Sequence, residues 1–396
     1  MLSLSILSWF TIYAASAALI WARLPEETMK ADELIRYQGY PVELHQVYTA
    51  DGYILTMQRI PHGRNQSSSA MGKHPVLLQH GLAASATNWI TNLPDRSLAY
   101  ILADNGYDVW LGNVRGNTYS KKHLTLKATD RKFWDFSWQE MADYDLPAMI
   151  KYILTNTTSK QLSYVGHSQG TLIAFAKFSS DFALAQKVKT FFALAPISTV
   201  GDITSPLRLL APFSSTIRTA LSIFGDYSLG EVSWLTKYIK PACDQPYGIM
   251  LCENLLFYLV GPESKTNLNQ TRIPVYMAHN PDDTSMKNLV HFAQMVRSKK
   301  MRHYDYGFFG NLKRYGQFSP PEYDLTGMSV STVAFWSPQD ALADVNDVAG
   351  LIPKLQKILV YKVNGFSHID FLWAEQAAKK VYSKILDELK ASRSCM

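Results

Sequence analysis

Short apolar runs alternate along the chain with longer stretches in which apolar residues recur every three or four positions. The runs predict buried strands and the periodic stretches predict helices. The predicted strands are 75–79, 107–111, 162–165 and 191–195, and the predicted helices are 97–105, 137–154 and 171–178. Ser97 and Ser137 stand where N-caps belong, and Ser137 has Glu140 three residues on, as in a capping box. Asp51-Gly52, between two apolar pairs, predicts an opening β-hairpin.

This alternation predicts a mostly parallel sheet with helices on both faces, an α/β fold. It stops between about 198 and 321, then returns with predicted strands at 330–336 and 358–363 and a closing helix at 375–390. We therefore expect one α/β domain with a mainly helical cap inserted into it. The predicted division is 1–17 as a signal peptide, 18–197 and 325–396 as the two parts of the core, and 198–324 as cap and lid.

The composition supports a well-packed globular protein. Of 396 residues, 47% are hydrophobic and 18% charged, which excludes a disordered, collagen-like or disulfide-dense chain. The net charge of +6 is spread without a basic block. No nucleic-acid partner is therefore predicted.

The first 22 residues contain no charged side chain, and Ala15-Ser16-Ala17 has the small-x-small pattern of a signal peptidase site. These features predict a secretory signal peptide that ends at Ala17. An uncleaved anchor is the alternative, because no Lys or Arg precedes the apolar run and its length could span a bilayer. The small and polar residues 13–18 favour cleavage.

Sequons and cysteines agree with an oxidising, lumenal compartment. Asn65, Asn156 and Asn269 each begin an Asn-x-Ser/Thr sequon and are predicted glycosylation sites. Cys243 and Cys252 have a spacing that can close a small disulfide loop, but two buried thiols fit that spacing equally well. If these two cysteines pair, Cys395 is the one that remains.

Residues 166–170 read Gly-His-Ser-Gln-Gly between a predicted strand and a predicted helix, the context of a nucleophile elbow. The bare pattern also arises by chance, so the context carries the hypothesis. Two glycines allow a turn tight enough to hold Ser168 above the strand ends. A serine hydroxyl needs a histidine base, and that histidine needs a carboxylate.

Four histidines follow Ser168, and His279, His291 and His303 fall within the predicted cap. His368 comes just after the last predicted strand and is the candidate base. The candidate acid is Asp340, four residues past the strand that ends at residue 336. Other carboxylates nearby are predicted to be structural: Asp344 and Asp347 at the start of a helix, and Asp370, a rival acid, as a local partner.

The oxyanion requires preorganised N–H donors, which we assign to Gln169 after the nucleophile and to Leu82 in the loop His80-Gly81-Leu82. The histidines lack metal-ligand spacing such as H-E-x-x-H. No metal or cofactor is predicted.

Several motifs together resemble the acid lipase family, which includes gastric and lysosomal acid lipases. They are Leu78-Gln79-His80-Gly81-Leu82, Ala86-Thr87-Asn88-Trp89, residues 103–113, Arg115-Gly116-Asn117-Thr118, residues 166–170, Leu342-Ala343-Asp344 and His368-Ile369-Asp370-Phe371. The resemblance runs from about Glu33 to the last helix. It implies an α/β-hydrolase core with a mostly helical cap and a mobile lid.

The resemblance also implies an activity and its residues. Family members hydrolyse triacylglycerols and in some cases cholesteryl esters, at acidic pH. Matched to this chain, the motifs imply Ser168 as nucleophile, Asp340 as acid and His368 as base, with Leu82 and Gln169 as oxyanion donors. They further imply a disulfide between Cys243 and Cys252.

Two positions depart from the family pattern. Ser337-Pro338-Gln339 replaces the usual Gly-Gly before the acid, and Asp282-Asp283 replaces a glycine in the cap near His279. Neither departure removes a catalytic atom, but the first stiffens the approach to Asp340.

Residues 207–224 carry apolar side chains at roughly helical intervals, with Arg208 and Arg218 between them. This pattern fits either a lid at a lipid interface or a helix packed on the domain. We expect a secreted or lysosomal lipase whose partner is lipid ester at an interface, with no obligatory protein partner. The alternatives are a soluble short-chain carboxylesterase and a catalytically dead lipid carrier.

Overall fold

A computed structural model describes residues 24–66, 72–224, 227–231, 261 and 267–394. The predicted signal peptide 1–17, the pair Cys243 and Cys252, and Cys395 lie outside these residues. Within the described part of the chain, no helix is long and apolar enough to cross a membrane.

A single sheet organises the described chain, and its strands run β1-β2-β4-β3-β6-β7-β8-β9 across it. The hairpin β1–β2 is antiparallel, as is the pairing of β2 with β4, and from β4 to β9 the neighbours are parallel. The short β5 pairs with β2 at the edge of this path. The strands are β1 (Glu43–Tyr48), β2 (Tyr53–Ile60), β3 (Pro75–Gln79), β4 (Asp108–Gly112), β5 (Lys122–His123), β6 (Leu162–His167), β7 (Val188–Leu194), β8 (Thr332–Trp336) and β9 (Ile358–Lys362).

The central strands are mostly apolar because helices cover both faces of the sheet. Every residue of β3, β4 and β6 is buried, as expected where no face of a parallel strand meets water. The predicted mostly parallel α/β sheet is confirmed, and the predicted strand limits differ from those observed by up to three residues.

Helices follow most of the strands. The α-helices are α1 (Ala31–Tyr37), α2 (Leu98–Asp104), α3 (Trp138–Glu140), α4 (Leu146–Thr157), α5 (Gln169–Ser180), α6 (Phe182–Ala185), α7 (Ser214–Phe224), α8 (Ile273–His279), α9 (Met286–Ser298), α10 (Phe308–Tyr315), α11 (Val345–Leu351), α12 (Asp370–Trp373) and α13 (Ser383–Ser394). Short 3-10 helices occupy Pro25–Glu27, Ala86–Trp89, Pro94–Arg96, Arg131–Trp134, Pro206–Phe213, Leu229–Glu231, Gln270–Arg272 and Ile352–Lys354.

Three helix predictions need correction. The capping box of Ser137 and Glu140 is present, but the predicted single helix contains a π-helical segment, Met141–Asp145, between α3 and α4. The predicted closing helix is likewise a π-helical segment, Ala378–Tyr382, followed by α13. Ser97 stands at the N-cap of α2, yet its hydroxyl donates to the Asn92 carbonyl instead of capping the helix.

Between β7 and β8, the long elements that the structure describes are all helices, chiefly α7 to α10. It contacts the core at defined points: the Asp282 N–H donates to the Ala83 carbonyl at 2.7 Å, for example. The limits of the cap as a domain stay a prediction. The carboxyl ends of β6, β8 and β9 lie on one edge of the sheet, where the candidate residues converge.

Candidate active site

Ser168 lies between the end of β6 and the start of α5, with φ of 54° and ψ of −119°. This left-handed conformation is strained for a residue with a side chain, and such strain is typical of a nucleophile elbow. The flanking glycines make the turn possible: a Cβ added at Gly170 would lie 2.5 Å from the Gln79 carbonyl oxygen, and one at Gly166 would lie 2.7 Å from the Gly170 carbonyl carbon.

The structure brings Ser168, His368 and Asp340 into one hydrogen-bonded row. The distance from His368 Nε2 to Ser168 Oγ is 2.7 Å, and His368 Nδ1 lies 3.0 and 2.9 Å from the two Asp340 oxygens. An ionised carboxylate can only accept, so Nδ1 carries a proton and donates it to Asp340. Nε2 is then left with a lone pair that accepts from the serine hydroxyl.

Asp340 is buried and held in its ionised form. Burial by itself would raise its pKa, but the adjacent His368 and the N–H groups of Ala343 and Leu342, each at 2.8 Å, outweigh that effect and lower it below its usual value. A charged carboxylate is the form that can fix the histidine tautomer and stabilise the imidazolium.

The residues before Asp340 connect its loop to the loop of His368. Gln339 Oε1 accepts from the Gly365 N–H at 2.8 Å, and the Asp340 N–H donates to the Ser337 carbonyl at 3.3 Å. Ser337-Pro338-Gln339 therefore forms a turn that joins the acid and base loops.

The other carboxylates near the site have structural partners. Asp344 caps α11 by accepting from the Asn346 N–H, and Asp347 accepts from backbone N–H groups at 201 and 202. Asp370 accepts from the Ser367 N–H at 2.8 Å, within its own loop.

The three histidines in the insertion also bond elsewhere. His279 Nε2 donates to the Glu26 carbonyl, and His291 Nε2 donates to the Arg302 carbonyl. His303 stacks on Tyr323 with ring centroids 4.3 Å apart.

Both candidate oxyanion residues adjoin the nucleophile. A Cβ added at Gly81 would lie 3.0 Å from Ser168 Cβ, so the loop that contains Leu82 runs directly beside the serine. Gln169 is the first residue of α5, and first-turn N–H groups have no acceptor within their own helix.

His80 holds this loop in place. Its Nδ1 donates to the Gly81 carbonyl at 2.8 Å, and its Nε2 accepts from the Val114 N–H at 3.3 Å and from the Asn117 amide at 3.2 Å. Burial lowers the pKa of His80 to about 4, so the ring stays neutral and keeps its acceptor nitrogen.

Sequence reasoning missed two residues that support the site. His167 Nε2 donates to the main-chain carbonyl of His368 at 2.9 Å, which ties the elbow to the base loop. Asn288 on α9 donates to Gln169 Oε1 at 2.8 Å and accepts from the Trp138 N–H at 2.8 Å. The elbow motif contains His167 and could have indicated it, whereas the contact of Asn288 requires the folded cap.

Among the described residues, no group of three or more His, Cys, Asp or Glu side chains is arranged to hold a metal ion. Asn65 and Asn156 are exposed and Asn269 is partly exposed. Each sequon is thus at least partly accessible, and glycosylation there stays a prediction.

A strained serine after a parallel strand, joined to a histidine and a buried aspartate, is the arrangement of α/β-hydrolases. A family model described as "alpha/beta hydrolase fold" matches residues 74–375, and one described as "Partial alpha/beta-hydrolase lipase region" matches residues 31–93. Among solved structures, a soluble variant of monoglyceride lipase from Saccharomyces cerevisiae has a TM-score of 0.55 at 15% identity, covering 89% of this chain and 95% of that one. A likeness at this identity supports the fold alone.

Curated relatives are much closer in sequence. Mouse lipase member K is 44% identical, covering 93% of this chain and 92% of the relative, and bovine gastric triacylglycerol lipase is 45% identical, covering 92% of each. Lysosomal acid lipase/cholesteryl ester hydrolase of Macaca fascicularis is 41% identical, covering 96% of each. The chain belongs to the acid lipase family of α/β-hydrolases.

Proposed function

We propose that this protein is a serine lipase that hydrolyses carboxylic esters of lipids, with triacylglycerols as the main substrates and cholesteryl esters as further ones. The observation that carries the proposal is the 2.7 Å distance between His368 Nε2 and Ser168 Oγ. The names of the relatives, gastric triacylglycerol lipase and lysosomal acid lipase/cholesteryl ester hydrolase, support the substrate class.

The reaction begins when Ser168 Oγ attacks the ester carbonyl carbon and His368 Nε2 takes the hydroxyl proton. The ionised Asp340 stabilises the imidazolium that forms. The tetrahedral oxyanion accepts hydrogen bonds from the Leu82 and Gln169 N–H groups, whose fixed positions require no reorganisation as charge develops.

The intermediate then collapses to an acyl-enzyme. His368 gives its proton to the departing alcohol, and a water molecule deprotonated by the same histidine attacks the acyl carbon. The bond from the acyl carbon to Ser168 Oγ then breaks, His368 returns the proton to Oγ, and the fatty acid leaves. Every proton in this cycle passes through Nε2, which the hydrogen bond from Nδ1 to Asp340 leaves free to accept.

We also propose that the protein acts in the secretory pathway, either secreted or in the lysosome. Its small-x-small motif at Ala15 to Ala17, three sequons and a cysteine pair support this location. The lowered pKa of Asp340 keeps its carboxylate ionised at acidic pH, which is the form that orients His368.

Active-site labelling tests the enzyme proposal. A fluorophosphonate probe should label the folded wild-type protein and should not label Ser168→Ala. Absence of labelling in folded wild type would falsify the enzyme proposal in favour of a lipid carrier. Comparison of emulsified triacylglycerol with a dissolved short-chain ester then separates the lipase from a short-chain esterase, which should prefer the dissolved ester.

A further inference from the structure

Large apolar side chains are exposed along α10 and the turn that follows it. Phe308 is 55% exposed, Phe309 81%, Leu312 42% and Phe318 55%. Single exposed apolar residues are ordinary on protein surfaces, but a cluster of this kind marks an interaction site. Phe308 stacks on Phe318 with ring centroids 4.0 Å apart and meets Phe309 edge-on at 5.2 Å, so the three rings form one connected group.

A partly open cavity adjoins this group. A cavity of about 220 Å³ lies between α9 and α10, and Phe308, Phe318, Met295 and Asn311 are among the residues that line it. Phe308 and Phe318 thus line this cavity and are also exposed at the surface.

The 3-10 helix Pro206–Phe213 and α7 extend the exposed apolar surface. Leu209 is 66% exposed, Phe213 59% and Ile223 69%. Leu221, in contrast, is buried in a cluster with Val290 of α9 and Tyr304. The predicted 207–224 stripe is thus divided between an inward and an outward face. The Arg218 guanidinium lies against Gly307, directly before Phe308, so the two segments are neighbours.

The charge on both segments has one sign. Residues 203–224 and 308–318 contain no Asp or Glu, whereas Arg208, Lys313 and Arg314 are exposed. Aromatic and aliphatic side chains flanked by cations are typical of segments that lie in the interface of an anionic lipid surface. The attraction of each cation to such a surface adds to the burial of the apolar groups.

We propose that the cap surface formed by Leu209, Phe213, Ile223, Phe308, Phe309, Leu312 and Phe318 binds an anionic lipid surface, with Lys313 and Arg314 against its headgroups. This inference rests on the proposed lipase function, since it explains how the enzyme stays on the particle that presents its ester. Helix α10 is thereby part of the lipid anchor. The sequence pattern alone indicates only residues 207–224 for that role.

Vesicle binding tests the anchor separately from catalysis. Ser168→Ala protein is mixed with phosphatidylcholine vesicles with or without phosphatidylglycerol, and the bound fraction is measured by flotation. Phe308→Ser with Phe309→Ser should lower partitioning by about tenfold or more on both vesicles. Lys313→Gln with Arg314→Gln should lower it about tenfold on anionic vesicles only. Phe182 lies on α6, outside the cap, and is 62% exposed. Phe182→Ser is therefore the matched control and should leave vesicle binding unchanged.

A parallel measurement in the Ser168 background keeps the two proposals distinct. The phenylalanine double variant should retain hydrolysis of a dissolved short-chain ester, which also shows that it folds, and should lose activity on emulsified triacylglycerol. Unchanged vesicle binding in that variant, or no binding by the parent protein, would overturn the anchor. If the parent protein is a dimer and this variant is a monomer, the surface binds a second copy of the chain and the lipid anchor is overturned. Wild type that binds vesicles yet hydrolyses no ester would instead overturn the proposed function.

Discussion

At the scale of single residues, the imidazole of His368 makes hydrogen bonds of opposite polarity through its two nitrogens. Nδ1 donates to Asp340 and Nε2 accepts from Ser168. The carboxylate therefore decides which nitrogen is basic. If the acceptor were lost, the proton could move to the nitrogen that faces the serine, and the base would disappear.

Asp340→Asn tests this dependence. The amide nitrogen can donate to Nδ1 and so stabilise the wrong tautomer, and we expect kcat on a dissolved ester to fall about 10³–10⁴-fold with the fold retained. Asp344→Asn is the control, because Asn caps a helix as well as Asp does, and its kcat should match wild type. Equal losses in the two variants would contradict a specific role for Asp340.

His167 acts on the same site through the backbone. Its Nε2–H bond to the His368 carbonyl fixes the base loop, and a small misplacement of a catalytic group can cost about 100-fold in rate. We expect His167→Phe to lower kcat by this order with little change in KM. His167→Gln carries a donor at the corresponding position and should recover part of the rate. If both variants lose the same amount, the hydrogen bond is not the cause.

At the scale of elements, the cap and the core are joined through groups next to the reacting atoms. Asn288 on α9 holds the side chain of Gln169, and the Asp282 N–H holds the carbonyl of Ala83, one residue past Leu82. Asp282 also accepts from the Thr118 N–H and hydroxyl. Cap and oxyanion loop thus share one hydrogen-bond network.

Asn288→Ala should reveal this coupling. It leaves the Trp138 N–H and Gln169 Oε1 without these partners, and buried polar groups that lose their partners cost about 1–3 kcal/mol each. We expect the free energy of unfolding in denaturant to fall by about 2–6 kcal/mol, with a lower kcat on a dissolved ester. Asn288→Asp keeps the acceptor for Trp138 but sets a buried carboxylate against Gln169 Oε1, so it should be no more stable than Asn288→Ala. A variant as stable as wild type would show that the contact is unimportant.

The elements that sequence could predict are those set by local pattern. The strands β3, β4 and β6 could be predicted because they are mostly apolar, as strands buried on both faces are. The elbow could be predicted from a serine with a glycine two positions away on each side. The order of the triad residues along the chain then indicated His368 and Asp340. The π-helical segment Met141–Asp145 left no such signal, since its side chains keep a helical spacing. Nor did Asn288, whose partner lies 119 positions away and meets it only after the cap packs.

At the scale of the whole molecule, acid places opposing demands on a protein with neutral buried histidines. Burial lowers the pKa of His80 to about 4 and those of His167 and His291 to about 3. In the unfolded chain each ring takes up a proton below about pH 6.5, while the folded protein does not. Stability due to these groups is therefore lost as the pH falls from 6.5 towards the folded values. Burial raises the pKa of Asp282, which acts in the opposite direction.

His291→Gln isolates one such contribution. A single ring with a folded pKa near 3 should lose about 2 kcal/mol of stability between pH 7 and pH 5, and the variant should lack that loss. The measurement is the free energy of unfolding at both pH values, compared as a difference so that a lower starting stability does not matter. Identical pH slopes in variant and wild type would show that His291 is not neutral in the fold.

The reacting groups come from distant parts of the chain, with Ser168 ahead of the inserted cap and His368 200 positions later. A ribosome therefore delivers the alcohol long before its base. A nascent or prematurely terminated chain carries an unreactive serine, so ester cleavage starts only when translation has passed the last strand.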